Sequence, residues 1–280
     1  MPRNNMSRLG LDNKPDNHAP IDAPELSFIS PTEMVDLPSK GNLYPEGHAM
    51  YGREQLEVRF MTAKEEDILL NENYVKNGIV LDRLVQSLLV DEAVKSADLL
   101  IGDKNAIIIA ARISAYGNEY ETRVKCPACA EENKYKFDLF DSQTYHGEDY
   151  DSEEIVAQPD GSFLLTLPLC KLPCKIRPLD GVEERKFAQD LRKKKKTKIN
   201  SQLRSRQLKA VVVSVNDTTD ARYIDTFCEN VPARDASYIR SSLKKVTPTI
   251  DLEQEYSCSE CGHEGTLEVP FNTEFFWPDQ

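Results

Sequence analysis

Two short cysteine pairs constrain this chain more than any other feature. Cys126-Pro-Ala-Cys129 and Cys258-Ser-Glu-Cys261 each set two thiols three residues apart. A tight turn brings such a pair to face one point, and two such turns facing each other close a tetrahedral four-thiolate shell suited to zinc. That shell leaves no position for water or substrate, so zinc held this way is structural. Pro127 and Gly262 suit the turns. Alternating residues run into and out of each pair: Tyr120, Thr122 and Val124 into Cys126, then Tyr135, Phe137 and Leu139 out of the first knuckle. Ile250, Leu252 and Tyr256 likewise lead into Cys258, and Leu267, Val269 and Phe271 lead away. Both pairs are therefore expected in β-hairpins.

Between Cys129 and Cys258 lie 128 residues, more than a zinc ribbon usually carries between its halves. Three arrangements stay open: one shared ion, two independent knuckles, or a metal bridging subunits. The shared site is the expectation, with one structural zinc per chain on Cys126, Cys129, Cys258 and Cys261. His263, two residues past Cys261, is an alternative ligand; a residue so placed more often supports the site from outside.

Seven cysteines is an odd number, and Met1 to Pro20 is polar with no apolar stretch of the secretory kind. A reducing compartment follows, where paired C-x-x-C reads as a metal site rather than a disulfide framework. Cys170, Cys174 and Cys228 are irregularly spaced and read as small buried hydrophobes, with a second metal site as the alternative. The longest apolar run, Ala106 to Ala111, is far short of the ~20 residues of a membrane helix, so no membrane partner is expected.

Net charge is -12. Between Arg185 and Lys209 eleven Lys/Arg face one acid, Asp190, which leaves -22 on the rest. A body so acidic argues against general nucleic-acid binding. The basic patch Lys193, Lys194, Lys195 and Lys196 is the local exception. It has no interleaved aromatics for base stacking and reads first as a solvated helix end or loop, then as a site for an acidic protein partner. The stretch Glu148 to Glu154 lacks the ligand spacing of a calcium loop and reads as a solvated loop. No phosphate-binding loop, nucleophile elbow or H-E-x-x-H motif occurs. His18, His48, His146 and His263 have no nucleophile beside them, so neither catalytic residues nor a small-molecule substrate are expected.

The expected fold is α+β: a four-cysteine zinc ribbon built from two distant β-hairpins, an N-terminal helical unit and a largely helical insertion. Residues 1–27 read as a flexible arm. Residues 28–118 hold a Pro/Gly loop and a small helical unit. In that unit Thr62-Ala-Lys-Glu65 forms a capping box, and Asp103 opens a helix, Ala106 to Tyr116, that ends at Gly117. The spacing predicts a strand through Leu56, Val58 and Phe60, and a helix over Ile79 to Val90. Residues 119–140 with 248–273 make the split ribbon. Residues 141–247 supply an acidic loop, short strands over Ser162 to Leu169 and Lys175 to Pro178, and helices. Those helices are capped at Asp180 or run over Leu203 to Val215, Ala221 to Cys228 and Ala233 to Val246. Residues 274–280 form an aromatic tail.

Several segments together carry a resemblance: DLPSKGNLYPEG at 36–47, MTAKEEDILLNE at 61–72, DLLIGDKNAIIIAARISAYGNEY at 98–120, then CPAC, CSECGH and the terminal FFWPD. The chain resembles the T4-type bacteriophage baseplate proteins, the hub assembly subunits of contractile-tailed phages. The likeness covers about residues 30 to 140 and the last thirty; residues 141–247 are expected to be lineage-specific. It implies a role in virion morphogenesis among other baseplate hub proteins, in the host cytoplasm during assembly, with the tail baseplate as a second location. Leu43, Tyr44, Phe275, Phe276 and Trp277 would then be candidate partner contacts. The plain alternative is that the aromatic tail packs on the chain's own core. A nucleic-acid-binding zinc-ribbon protein is the competing functional reading.

Overall fold

The computed structural model describes residues 31–186, 203–269 and 275–276. The arm at 1–27, His18, the Lys193–Lys196 run, Phe271 and Trp277 lie outside them. Among the described residues helices and small antiparallel sheets alternate, and no helix is long and apolar enough to cross a membrane.

The first strand, β1 (Thr32–Asp36), pairs antiparallel with β2 (Gln55–Arg59). Residues 37–54 join them. The Pro/Gly loop expected from Pro31 to Gly52 is therefore not all loop: β1 occupies its start, ahead of the first breaker inside it, Pro38. Helices α1 (Ala63–Leu70), α2 (Glu72–Asn77) and α3 (Val80–Leu88) follow. The capping box forms at α1, where the Glu65 carboxylate accepts from the Thr62 amide at 3.0 Å and from its hydroxyl at 2.6 Å. Helix α3 buries Val80, Leu84, Val85 and Leu88 on one face.

Helix α4 (Ile101–Tyr116) is the longest described and ends at Gly117. It buries Ala106 through Ile109, so its sequence is apolar around most of its girth and it sits inside the first core. Two hairpins close that core: β3 (Glu119–Lys125) with β4 (Glu132–Asp138), and β11 (Glu253–Ser257) with β12 (Glu264–Glu268).

A second core lies over the antiparallel sheet β6–β7–β8–β9. Its strands are β6 (Ile155–Ala157), β7 (Phe163–Thr166), β8 (Pro173–Ile176) and β9 (Val212–Val215). It is covered by α6 (Leu203–Val211), α7 (Ala221–Asn230) and α8 (Ala233–Val246). Helix α5 is helical over 181–186, its first turn capped by Asp180, whose carboxylate accepts the Glu183 amide at 2.8 Å. Short strands β5 (Gln143–Tyr145) and β10 (Thr249–Asp251) pair with each other where the chain enters and leaves this region.

Two expectations need correction. The helix read over Leu203 to Val215 stops at Val211, and Val212–Val215 is a strand on the edge of β8. Three successive valines have branched Cβ atoms that crowd a helix but fit a pleated surface, and the free edge of β8 decides the competition. The acidic stretch at 141–161 is not all loop, since it contains β5 and β6.

Gly102, second residue of α4, is where the helix meets β10. A Cβ there would lie 2.2 Å from the Pro248 carbonyl oxygen. Helix propensity alone favours alanine over glycine by about 1 kcal/mol. Here the sign is expected to reverse: Gly102→Ala should destabilise by roughly 1–3 kcal/mol in a urea melt, because backbone must shift to admit the methyl group.

Candidate metal centre

Each knuckle is a turn of the same hydrogen-bonded form. In the first, the Cys126 amide donates to the Glu131 carbonyl at 2.9 Å, and the Ala130 amide returns to the Cys126 carbonyl at 2.9 Å. In the second, the Cys258 amide donates to the His263 carbonyl and the Gly262 amide to the Cys258 carbonyl, both at 2.9 Å. The residue after the second cysteine is left-handed in both, with φ +63° at Ala130 and +69° at Gly262. Glycine takes that conformation freely; alanine is strained there by roughly 1–2 kcal/mol.

The two turns face each other. The sulfurs of Cys126, Cys129, Cys258 and Cys261 all lie within 4.8 Å of one another. Cys126 Sγ is 3.8 Å from Cys261 Sγ, and Cys129 Sγ is 3.8 Å from Cys258 Sγ, so the close pairs run between hairpins. Zinc–sulfur bonds of ~2.3 Å in a regular tetrahedron put neighbouring sulfurs ~3.8 Å apart. A disulfide would need ~2.05 Å. The donor set therefore fits a tetrahedral, thiolate-seeking ion. Among the described residues this is the one group of three or more His, Cys, Asp or Glu side chains placed to hold a metal.

The local electrostatics are divided. The Cys261 backbone amide, with the Glu260 amide and Tyr256 hydroxyl behind it, brings the Cys258 thiol down to about 6. The Cys129 amide likewise lowers Cys126. Cys129 and Cys261 move up, Cys261 to about 12; backbone amides favour their thiolates, but burial and the adjoining thiols outweigh them. Four neighbouring thiolates repel unless a cation lies among them. Outside the sulfurs, the Asn133 side-chain amide donates to Cys258 Sγ at 3.5 Å and the Ala128 amide to Cys126 Sγ at 3.4 Å.

The hairpins also hold each other without metal. The Gln254 side chain acts as a short strand partner, donating to the Asp138 carbonyl at 2.6 Å and accepting the Asp138 amide at 3.2 Å. The Tyr135 hydroxyl donates to the Glu255 carbonyl at 2.8 Å, and its ring meets the Tyr256 ring edge-on at 5.2 Å.

The remaining candidates fall elsewhere. His263 is outside the sulfur cluster and contributes its backbone carbonyl. Cys174 and Cys228 are buried in the second core, and burial pushes both thiols up, to about 12 and about 11. Tyr44, Phe275 and Phe276, candidates for partner contact, are buried in the chain's own first core. The Tyr44 hydroxyl donates to Asp103 Oδ2 at 2.7 Å and accepts the Leu100 amide at 2.9 Å, which holds the ring inward. Phe275 packs on the Tyr120 ring at 5.0 Å, and its carbonyl accepts Arg112 Nε at 3.0 Å. Leu43 is half-buried between both cores.

Two residues organise this region: Asp103, read from the sequence as opening the helix but placed at the third position of α4, which starts at Ile101, and Arg112, which the sequence did not single out. Asp103, fully buried, accepts from the Ser39 amide at 2.9 Å, the Ser39 hydroxyl at 2.6 Å and Tyr44, and so pins the Pro/Gly loop to the start of α4. Burial pushes its carboxyl up while those three donors pull it down. Arg112 donates to the carbonyls of Phe275, Gly117 and Glu119. A charged residue in an apolar helix run is the only sequence signal for either.

Ala130→Gly is expected to stabilise the chain by about 0.5–1 kcal/mol, the relieved left-handed strain less the entropy a glycine adds to the unfolded state. Gly262→Ala should cost about the same. Paired urea titrations check both signs.

A family model described as T4 bacteriophage base plate protein matches residues 31–277. The match runs through 141–247, which corrects the expectation that this part is lineage-specific. No curated protein and no solved structure matches the chain.

Proposed function

Because the chain belongs to the T4 bacteriophage base plate protein family, we propose that it is a subunit or assembly factor of the tail baseplate hub, held in shape by one zinc ion. The family match over residues 31–277 carries this reading. The residues that would hold the zinc are Cys126, Cys129, Cys258 and Cys261. Their sulfurs all lie within 4.8 Å of one another, and two of the pairs stand at 3.8 Å, the separation of neighbouring sulfurs in a tetrahedral thiolate shell. Bound there, zinc supplies a cross-link and no reactive position.

In this reading the protein works through contacts with other baseplate proteins, in the host cytoplasm while the tail is built and then in the baseplate. Such a role calls for rigid surfaces rather than a catalytic pocket. The nucleic-acid reading has less support: the chain is acidic overall, and the family is one of baseplate proteins.

Native mass spectrometry should find one zinc per chain, lost in Cys258→Ser and in Cys129→Ser alike. Each loss should lower stability by several kcal/mol, part of the roughly 10–16 kcal/mol that structural zinc supplies in small metal-dependent domains. Zinc retained by either variant would separate the two knuckles and end the shared-site reading.

Disrupting the gene in its parent phage should leave particles without a complete baseplate in negative-stain electron microscopy. Restoring the wild-type gene should rescue them, and Cys258→Ser should not. Morphologically normal tails from the disrupted phage would overturn the assignment.

A further inference from the structure

The four thiols are not equally placed. Cys129 and Cys261 are exposed, whereas Cys126 and Cys258 are buried, at 1% and 2% exposure. The two sulfur contacts at 3.8 Å, Cys126 with Cys261 and Cys129 with Cys258, both cross from one hairpin to the other. Each contact therefore joins one exposed cysteine to one buried cysteine. An oxidant arriving from solvent meets the exposed member first, and that member's reaction partner already lies beside it.

The sulfur positions do not depend on an ion alone. Asn133, on β4, donates from its side-chain amide to Cys258 Sγ at 3.5 Å, and the Ser259 hydroxyl donates to Asn133 Oδ1 at 3.4 Å. Behind the turns, the Gln254 and Tyr135 bonds tie one hairpin to the other. Each turn is closed by its own backbone hydrogen bonds. Passing from 3.8 Å to the ~2.05 Å of a disulfide needs a shift of roughly 1.8 Å, shared between two side chains. A disulfide within a knuckle would release the hairpins from each other. One between knuckles keeps the loop of 128 residues closed.

We propose that oxidation closes this site in a second way, as two disulfides between the hairpins, Cys126–Cys261 and Cys129–Cys258. With a peroxide as oxidant, the exposed sulfur of each pair attacks one peroxide oxygen. A sulfenic acid forms and water leaves, its proton coming from the thiol or, for a metal-bound thiolate, from solvent. The buried sulfur then attacks the sulfenic sulfur; the S–S bond forms and the hydroxyl departs as a second water. Each disulfide thus takes two electrons from two cysteines and reduces one peroxide to two waters. An ion held by the thiolates is released, since a disulfide sulfur is no longer a thiolate ligand. A site with two closed states suits a chain built in a reducing compartment and carried outside it in a particle. That the reduced state holds zinc and that the chain travels in a particle rest on the proposed function; the pairing rests on the sulfur positions alone.

The test treats the full-length chain, reduced and zinc-loaded, with hydrogen peroxide. Released zinc is read with a chromogenic chelator, remaining thiols are blocked with N-ethylmaleimide, and the chain is digested with trypsin without reduction. Cleavage after Lys125, Lys134 and Lys245 puts each knuckle on its own peptide. The two peptides are expected to be joined, lighter by two hydrogens for each disulfide. A second cleavage after Glu260 separates Cys258 from Cys261, and electron-transfer fragmentation between Ala128 and Cys129 assigns each bond. The oxidised, metal-free chain should unfold at a higher urea concentration than the chain stripped by chelator under reducing conditions, and dithiothreitol should abolish the difference. Separate peptides with internal disulfides, Cys126 joined to Cys258, sulfinic acids without disulfides, a disulfide to a second chain, or thiols that peroxide leaves intact would each overturn the proposal. Zinc absent from the reduced chain would overturn the metal reading and not the pairing. A within-knuckle map would overturn the pairing and leave the zinc count standing.

Discussion

The physical constraint that reaches furthest along this chain is the meeting, sulfur to sulfur, of two turns far apart in sequence. Closing a loop of 128 residues costs entropy that grows only slowly with length, and an ion held by all four thiols would offset it for the whole enclosed segment. The close sulfur pairs run between the knuckles rather than within them, so neither hairpin completes the shell alone. Gln254, Tyr135 and Tyr256 bring the hairpins to the right separation by ordinary hydrogen bonds and ring packing. The sulfurs therefore converge on backbone that is already positioned, which is the condition for tight coordination at small ordering cost.

Helix α4 is the second organising element, and it acts by its ends. At its start Asp103 gathers Ser39 and Tyr44, Gly102 admits the backbone of Pro248, and Lys104 pairs with Asp82 and Glu184. At its end Arg112 holds the carbonyls of Gly117, Glu119 and Phe275. One apolar helix thus fixes the Pro/Gly loop, the entry to β10, the β3–β4 hairpin and the Phe275–Phe276 pair. Its buried charges are stabilising only because each is met by several partners; removing a partner would strand a charge in a low-dielectric interior.

Local rules were readable where one residue pattern sets one local structure. The Thr62–Glu65 capping box, the stop at Gly117, the Asp180 cap and both knuckle hairpins appear where spacing placed them. The convergence of the four thiols was readable as well, because two matched pairs have few ways to satisfy a tetrahedral ion. Failures came where a distant partner decides. Val212–Val215 becomes a strand because β8 offers it an edge, and that edge is invisible in the local sequence. Tyr44, Phe275 and Phe276 admit two readings in the sequence, partner contact or packing on the chain's own core, because aromatics near a chain end or in a loop do either. Asp103 and Arg112 draw them inward, and those pairings span 59 and 163 residues.

The two cores share the chain's functional demands unequally. The first contains the sulfur cluster, the buried Asp103 and Arg112 networks and the stacked rings, all of which resist deformation. Among the described residues the second has no comparable cysteine cluster and leaves a hollow beside α8. They are nevertheless mechanically joined, because the chain leaving α8 passes at once into β10, which is held against Gly102 of α4 and paired to β5. The placement of α8 relative to the first core is therefore set within a few residues of its end, where the Pro248 backbone sits against Gly102 and β10 pairs with β5.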